Sequence, residues 1–227
     1  MKKFFALLLV FLLLASVSTA VAKVLDLSPI EAKSGLYTID VSEDGDSAFI
    51  ETTLSSEERS FTHQYESSKL YSTTLFDVLV VNYQKSTNYP IFRLWITYCA
   101  DDAFQHFDAV TISLGNKRYT FTDVSDPEWL IEDEENGYIE DLLIRFGKDN
   151  VSFLKDLEEA IGNKTTLEQL EQMDVRAVLH GDEDIEIELG SNFLLDFLGM
   201  KSAWLTLEGL DYLDQIIGSD MSVTTVY

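Results

Sequence analysis

The chain has 227 residues, with 40 Asp and Glu against 16 Lys and Arg, a formal net charge of −24, 46% apolar residues and a single Cys. A chain of this length builds a core without disulfide staples, and an aromatic fraction of 12% excludes wholesale disorder despite the charge. So acidic a surface repels nucleic acid and anionic lipid headgroups, and no cluster of Lys or Arg follows Lys3 to reverse it, so neither is an expected partner.

The first element is a leader. Lys2 and Lys3 precede an uninterrupted apolar run over residues 4–15, and Ala20-Val21-Ala22 has the small-x-small form of a cleavage site. As a helix that run would reach only about 18 Å across a roughly 30 Å hydrocarbon core, which makes it too short for an anchor. The expectation is a signal peptide over residues 1–22, cleaved after Ala22, and a single secreted α+β domain over residues 23–227 with no membrane insertion afterwards. Lys23 stands where a lipid anchor would require Cys, and loss of Lys2 and Lys3 makes the mature charge two units more negative. Cys99 is the only thiol, so no intramolecular disulfide forms; it closes an apolar run and reads as a small buried hydrophobe rather than a nucleophile. An exported chain without cystines suits a bacterial source.

Beyond the leader, residues 35–41 and 48–54 read as two strands joined by a turn over residues 42–47, where Asp44-Gly45 supplies positive φ. Residues 75–83 and 91–99 are dense in Val, Ile, Leu, Phe, Trp and Tyr and read as the buried centre of a sheet, with a short polar connection between them. Val110, Ile112 and Leu114 alternate with polar residues up to Gly115-Asn116, and Tyr119 and Phe121 alternate back, which predicts a hairpin. The acidic stretch 126–135 reads as a long exposed loop. Asn150 is placed as the N-cap of a helix carrying Phe153, Leu154, Leu157 and Ile161 and stopping at Gly162. A short second helix begins at Thr165 or Thr166, with Thr165 and Glu168 fitting a capping box, and ends near Met173. Val175, Ala177 and Leu179 pair with Ile185, Ile187 and Leu189 across the Gly181–Asp184 turn, leaving Glu186 and Glu188 facing water. Ser191 would cap a helix through Phe193 to Leu198, and Leu210, Leu213 and Ile217 repeat at helical spacing before a frayed or strand-like tail. Hairpin-spaced strands with helices confined to the C-terminal half predict an α+β fold: an antiparallel β-sheet or β-sandwich core with two or three helices.

Nucleophile elbows, phosphate loops, dinucleotide fingerprints and HExxH zinc helices are all missing from the sequence. His63, His106 and His180 lack a second His or Cys at ligand spacing. Calcium is the metal the residue types favour, since Asp44 and Asp46, and Asp182 and Asp184, each set two carboxylates either side of one turn residue, although no EF-hand pattern is met. No other cofactor is expected. Of the three Trp residues, Trp95 and Trp204 read as core, while Trp129 in Asp126-Pro127-Glu128-Trp129 reads as an exposed platform followed by Glu132, Asp133, Glu134 and Glu135. These five are the candidate ligand-binding residues, and the expected partner is an extracellular protein or polysaccharide. The alternative is a secreted hydrolase of glycosidase type using paired carboxylates, which 40 acids make geometrically easy and therefore unspecific. Asn150-Val151-Ser152 and Asn163-Lys164-Thr165 are glycosylation sequons that matter only in a eukaryotic source.

Overall fold

The computed structural model describes residues 25–53, 71–82, 88–133, 137–164, 166–215 and 223–226. After one turn of helix, α1 (Ser28–Glu31), the strands β1 (Tyr37–Val41), β2 (Ser47–Thr52), β3 (Tyr71–Val81) and β4 (Tyr89–Ala100) follow one another as an antiparallel meander. β5 (Ala109–Leu114) and β6 (Lys117–Thr122) begin a second sheet, and β7 (Ser125–Asp133) and β8 (Gly137–Phe146) return to the first. Helices α2 (Ser152–Ile161) and α3 (Leu167–Glu171) precede β9 (Val175–His180) and β10 (Ile185–Glu188), then come α4 (Ser191–Thr206), a 3-10 helix at Gly209–Gln215, and β11 (Val223–Val226). The strand orders are β1-β2-β3-β4-β8-β7 and β10-β9-β5-β6-β11, and every pairing is antiparallel. The chain is thus an α+β protein, as the hairpin spacing predicts.

Alternation along the strands decides what the two sheets bury. Phe76 and Val78 on β3, Phe92 and Leu94 on β4, and Ile144 and Phe146 on β8 lie on one face and are fully buried. Helix α4 covers the β3 side of that face, with Phe193 and Phe197 set 4.9 and 5.5 Å from the Phe76 ring. The second sheet and α2 cover the β8 side: Phe121 reaches Phe146 at 6.2 Å, and Phe153 stacks on Phe146 at 5.8 Å. One apolar cluster therefore draws on both sheets and on all four α-helices. Each such ring removes on the order of 150–250 Å² from water, so this aromatic seam is the main packing element of the core.

Polar groups inside this core have defined partners. β2 pairs with β3 only from Ser47 to Ile50; beyond that, the Phe76 N–H is taken by Asp196 of α4 at 2.6 Å, and the other carboxylate oxygen accepts the Thr52 hydroxyl at 2.7 Å. Burial pushes the Asp196 carboxyl up to about 7, even though these two bonds favour the ionised form. Glu140 of β8 is also buried and accepts the backbone N–H groups of Gln105 and Phe107, which pins the loop between β4 and β5.

Several local expectations need correction. Residues 125–133 form the edge strand β7 rather than a loop, because Leu130 to Asp133 pair with Glu140 to Gly137 on β8. Asn150 does not cap α2; its side chain accepts the Gly147 N–H at 2.7 Å and donates to the Arg145 carbonyl at 2.8 Å, closing the preceding turn, and Val151 takes the cap position. That buried amide is also unavailable as a glycosylation acceptor in the folded chain, unlike exposed Asn163. The capping box lies one residue later than Thr165 with Glu168: Thr166 and Gln169 exchange the two bonds. Gly190, not Ser191, is the cap of α4, and Leu210 and Leu213 lie on a 3-10 helix. The hairpins at β1–β2, β5–β6 and β9–β10, the stop at Gly162, and the burial of Cys99 and Trp204 agree with expectation. No helix among the described residues is long and apolar enough to cross a membrane.

Candidate functional site

The outer face of the six-stranded sheet, turned away from α4, carries an unusual set of side chains for a sheet surface. Register places Asp77 opposite Arg93, Arg93 opposite Arg145, and Trp95 opposite Leu143. Arg93 donates through Nε to Asp77 at 2.8 Å and through Nη2 to its second oxygen, a two-point pairing of two buried residues. The guanidinium lies between aromatic rings, 5.4 Å from the Phe49 centroid and 5.2 Å from that of Trp95. Burial pushes the Asp77 carboxyl up, and hydrogen bonds from Arg93 and Trp95 only partly offset it.

Trp129 reaches this face because of a local fault in β7. Asp126 accepts the Glu128 N–H at 2.9 Å across Pro127, so the ladder is interrupted between Ser125 and Leu130. The displaced segment sets Trp129 against Trp95, with ring centroids 5.5 Å apart at 58°, both rings half-buried. Arg145 is a diagonal same-face neighbour of Trp95 and is exposed. Its pKa is lowered, first by partial burial and then by Arg93, while Asp126 acts in the opposite direction. Among the described residues Arg145 forms no ion pair.

The other expected ligand-binding residues fall elsewhere. Glu132 and Asp133 stand opposite Tyr138 and Gly137 on the edge strand, away from the Trp pair, and Glu134 and Glu135 lie outside the described residues. Among the expected calcium ligands, Asp44 accepts the Ser42 hydroxyl at 2.6 Å and the Asp46 N–H at 3.0 Å, which ties the β1–β2 turn to itself. The Asp182 N–H donates to the Gln105 carbonyl at 2.6 Å, and Asp184 meets His180 Nδ1 at 3.0 Å. The two aspartate pairs thus sit on turns of different sheets, and no three His, Cys, Asp or Glu side chains converge on a metal-sized space among the described residues.

His180 forms a relay that the sequence does not announce. Its Nε2 lies 2.8 Å from Thr111 Oγ1, which in turn lies 2.8 Å from Thr120 Oγ1, so Asp184, His180 and Thr111 have the spacing of an acid–imidazole–hydroxyl triad. Acyl transfer also needs N–H donors for the developing oxyanion. β5 is paired with β6 on one side and β9 on the other along its whole length, so its backbone leaves none beside Thr111. The relay ties β5, β6 and β9 together through side chains.

The residues missed in the sequence are Asp77, Arg93 and Arg145. The signal was present: Asp77 and Arg93 each interrupt an otherwise apolar strand, and opposite charges in two such neighbouring strands are expected to meet. No protein-family profile, curated protein or solved structure matches the chain.

Proposed function

We propose that the chain is a secreted, non-catalytic binding protein that holds an extracellular polysaccharide against the outer face of its six-stranded sheet. The observation that carries this reading is the Trp95–Trp129 pair, two half-buried indoles 5.5 Å apart on the sheet face that also carries the Asp77–Arg93 pairing. Aromatic faces stack on the apolar faces of sugar rings, and a ring fixed in place loses little entropy on binding. Export follows from the cationic, apolar and small-residue pattern of residues 1–22, and the acidic surface favours solubility outside a cell.

The glycosidase alternative loses ground on this face. Asp77 is committed to Arg93, and Asp141 accepts the Thr97 hydroxyl at 2.5 Å, so neither carboxylate is disposed to serve as nucleophile or proton donor. The test is affinity electrophoresis and indole fluorescence of the full chain against soluble polysaccharides, comparing wild type with Trp129→Ala. Retardation and a saturable fluorescence change in the wild type, both lost in Trp129→Ala, are expected. Equal behaviour of the two proteins, or release of reducing ends by the wild type, overturns the reading.

A further inference from the structure

Resting on that assignment of the face, we infer that the bound sugar carries a carboxylate, and that Arg145 receives it on the face that carries the Trp95–Trp129 pair. One placement on this face costs stability. Like charges directly opposite one another on adjacent strands repel, yet Arg93 and Arg145 occupy such positions on β4 and β8, two central strands. In a chain with 40 acids and 16 bases, an Arg is most easily placed beside a carboxylate. Asp77 meets that need for Arg93, with both of its oxygens engaged. Arg145 is left exposed and without an ion pair among the described residues, the carboxylate of Asp126 attracting it from beyond ion-pair distance. The geometry points to an external anion as its partner.

The neighbouring groups narrow the chemistry of that anion. Trp95 holds Arg93 over its ring and Trp129 against it, so Trp129 is the indole left to meet a ligand. An exposed guanidinium on the same sheet face as that indole matches a molecule with a carboxylate projecting from a ring whose own face is apolar, which describes a uronic acid. Net charge sets the number of acid groups. At −24 the protein repels a polymer of closely spaced carboxylates, whereas a single acidic sugar within an otherwise neutral glycan meets one local cation at little long-range cost.

The test is a fluorescence and calorimetric titration of the full chain with four probes: a disaccharide bearing one uronic acid, the same disaccharide with that carboxyl reduced to the alcohol, a polyuronate, and a short peptide with a free C-terminal carboxylate. The expected result is at least about tenfold tighter binding of the acidic than of the reduced disaccharide, a preference that Arg145→Gln abolishes while leaving the reduced sugar within about twofold. Trp129→Ala should weaken both disaccharides. Since Arg145→Gln also removes the repulsion across β4 and β8, its melting temperature should equal or exceed that of the wild type; a lower one would make Arg145 a structural residue and overturn the inference. Equal affinity for both disaccharides, with Trp129 still required, overturns the carboxylate and leaves the glycan face standing. Tightest binding of the polyuronate overturns the single-acid argument, and tightest binding of the peptide replaces the sugar by a protein terminus. No binding of any saccharide overturns this inference and the proposed function together.

Discussion

Replacing Asp196 by Asn removes one titration from the interior while keeping the shape of the side chain and an oxygen to accept the Thr52 hydroxyl. The wild-type carboxyl rises from an ordinary 3.8 to about 7 on folding, with burial as the first cause and the charges of Asp77 and Glu51 adding to it. Between those two values the unfolded chain has released the proton and the folded chain has kept it, so the folded state binds more protons and stability falls as pH rises. The stabilisation is complete below about 4 and is lost as pH climbs through about 7. At about 1.4 kcal/mol per tenfold change in proton affinity, the full effect is on the order of 4 kcal/mol. Urea unfolding of both proteins at pH 4.5, 5.5, 6.5 and 7.5 measures it, because the difference between them cancels the other acids. Asp196→Asn should be no more stable than wild type at pH 4.5 and should gain on it steadily toward pH 7.5. A difference independent of pH, or a wild-type advantage that grows with pH, would show that Asp196 folds as an ordinary carboxylate and would refute the reasoning.

Arg93→Met leaves the buried Asp77 unpaired and should cost about 3–5 kcal/mol in chemical denaturation, much of which Asp77→Asn in the same chain should restore; a loss under 1 kcal/mol would mean that water reaches the pair. Gly137 has φ +77°, and a Cβ there would overlap the Ala100 carbonyl, so Gly137→Ala should lower the melting temperature by several degrees; an unchanged melt would contradict the close approach of β8 to the end of β4. Asp44→Ala should cost roughly 1 kcal/mol equally in calcium and in chelator, because it breaks the turn bonds to Ser42 and Asp46; a loss confined to calcium-containing buffer would make Asp44 a ligand. Cys99 is 1% exposed and should react with a thiol reagent only at the rate of unfolding, so fast labelling of the native protein would contradict its burial.

What sequence reading recovers here is the part governed by short-range alternation. Val110, Ile112 and Leu114 against Tyr119 and Phe121, and Ala177 and Leu179 against Ile187, place strands and turns together because side-chain period and turn chemistry agree. Two kinds of feature escaped it. One is a competition decided by a single atom: Asn150 resembles a helix cap, but its amide finds Gly147 N–H and the Arg145 carbonyl first. The other is long-range: nothing near residue 129 reveals that a strand some thirty residues earlier offers Trp95 as its partner, and the acids and Pro127 that make residues 125–133 look like a loop are devices by which an edge strand avoids pairing with another chain. Trp129 was legible as a candidate; the surface around it was not, because Asp77, Arg93 and Arg145 come from three strands that only the sheet order unites.

The order β10-β9-β5-β6-β11 has a consequence for how the chain reaches its folded state. β6 gains its second neighbour only from residues 223–226, about a hundred positions later, with the last two strands of the first sheet and all but the shortest helix lying in between. A chain that emerges from the N-terminus can complete the β5–β6 hairpin early, yet one edge of β6 stays open until the far end arrives. Closing so long a loop is slow, and an open strand edge during that interval invites a second molecule to take the place of β11. Shortening the chain before Val223 would therefore act less on the depth of the native well than on the yield with which molecules find it, and would show first as association during refolding at high protein concentration.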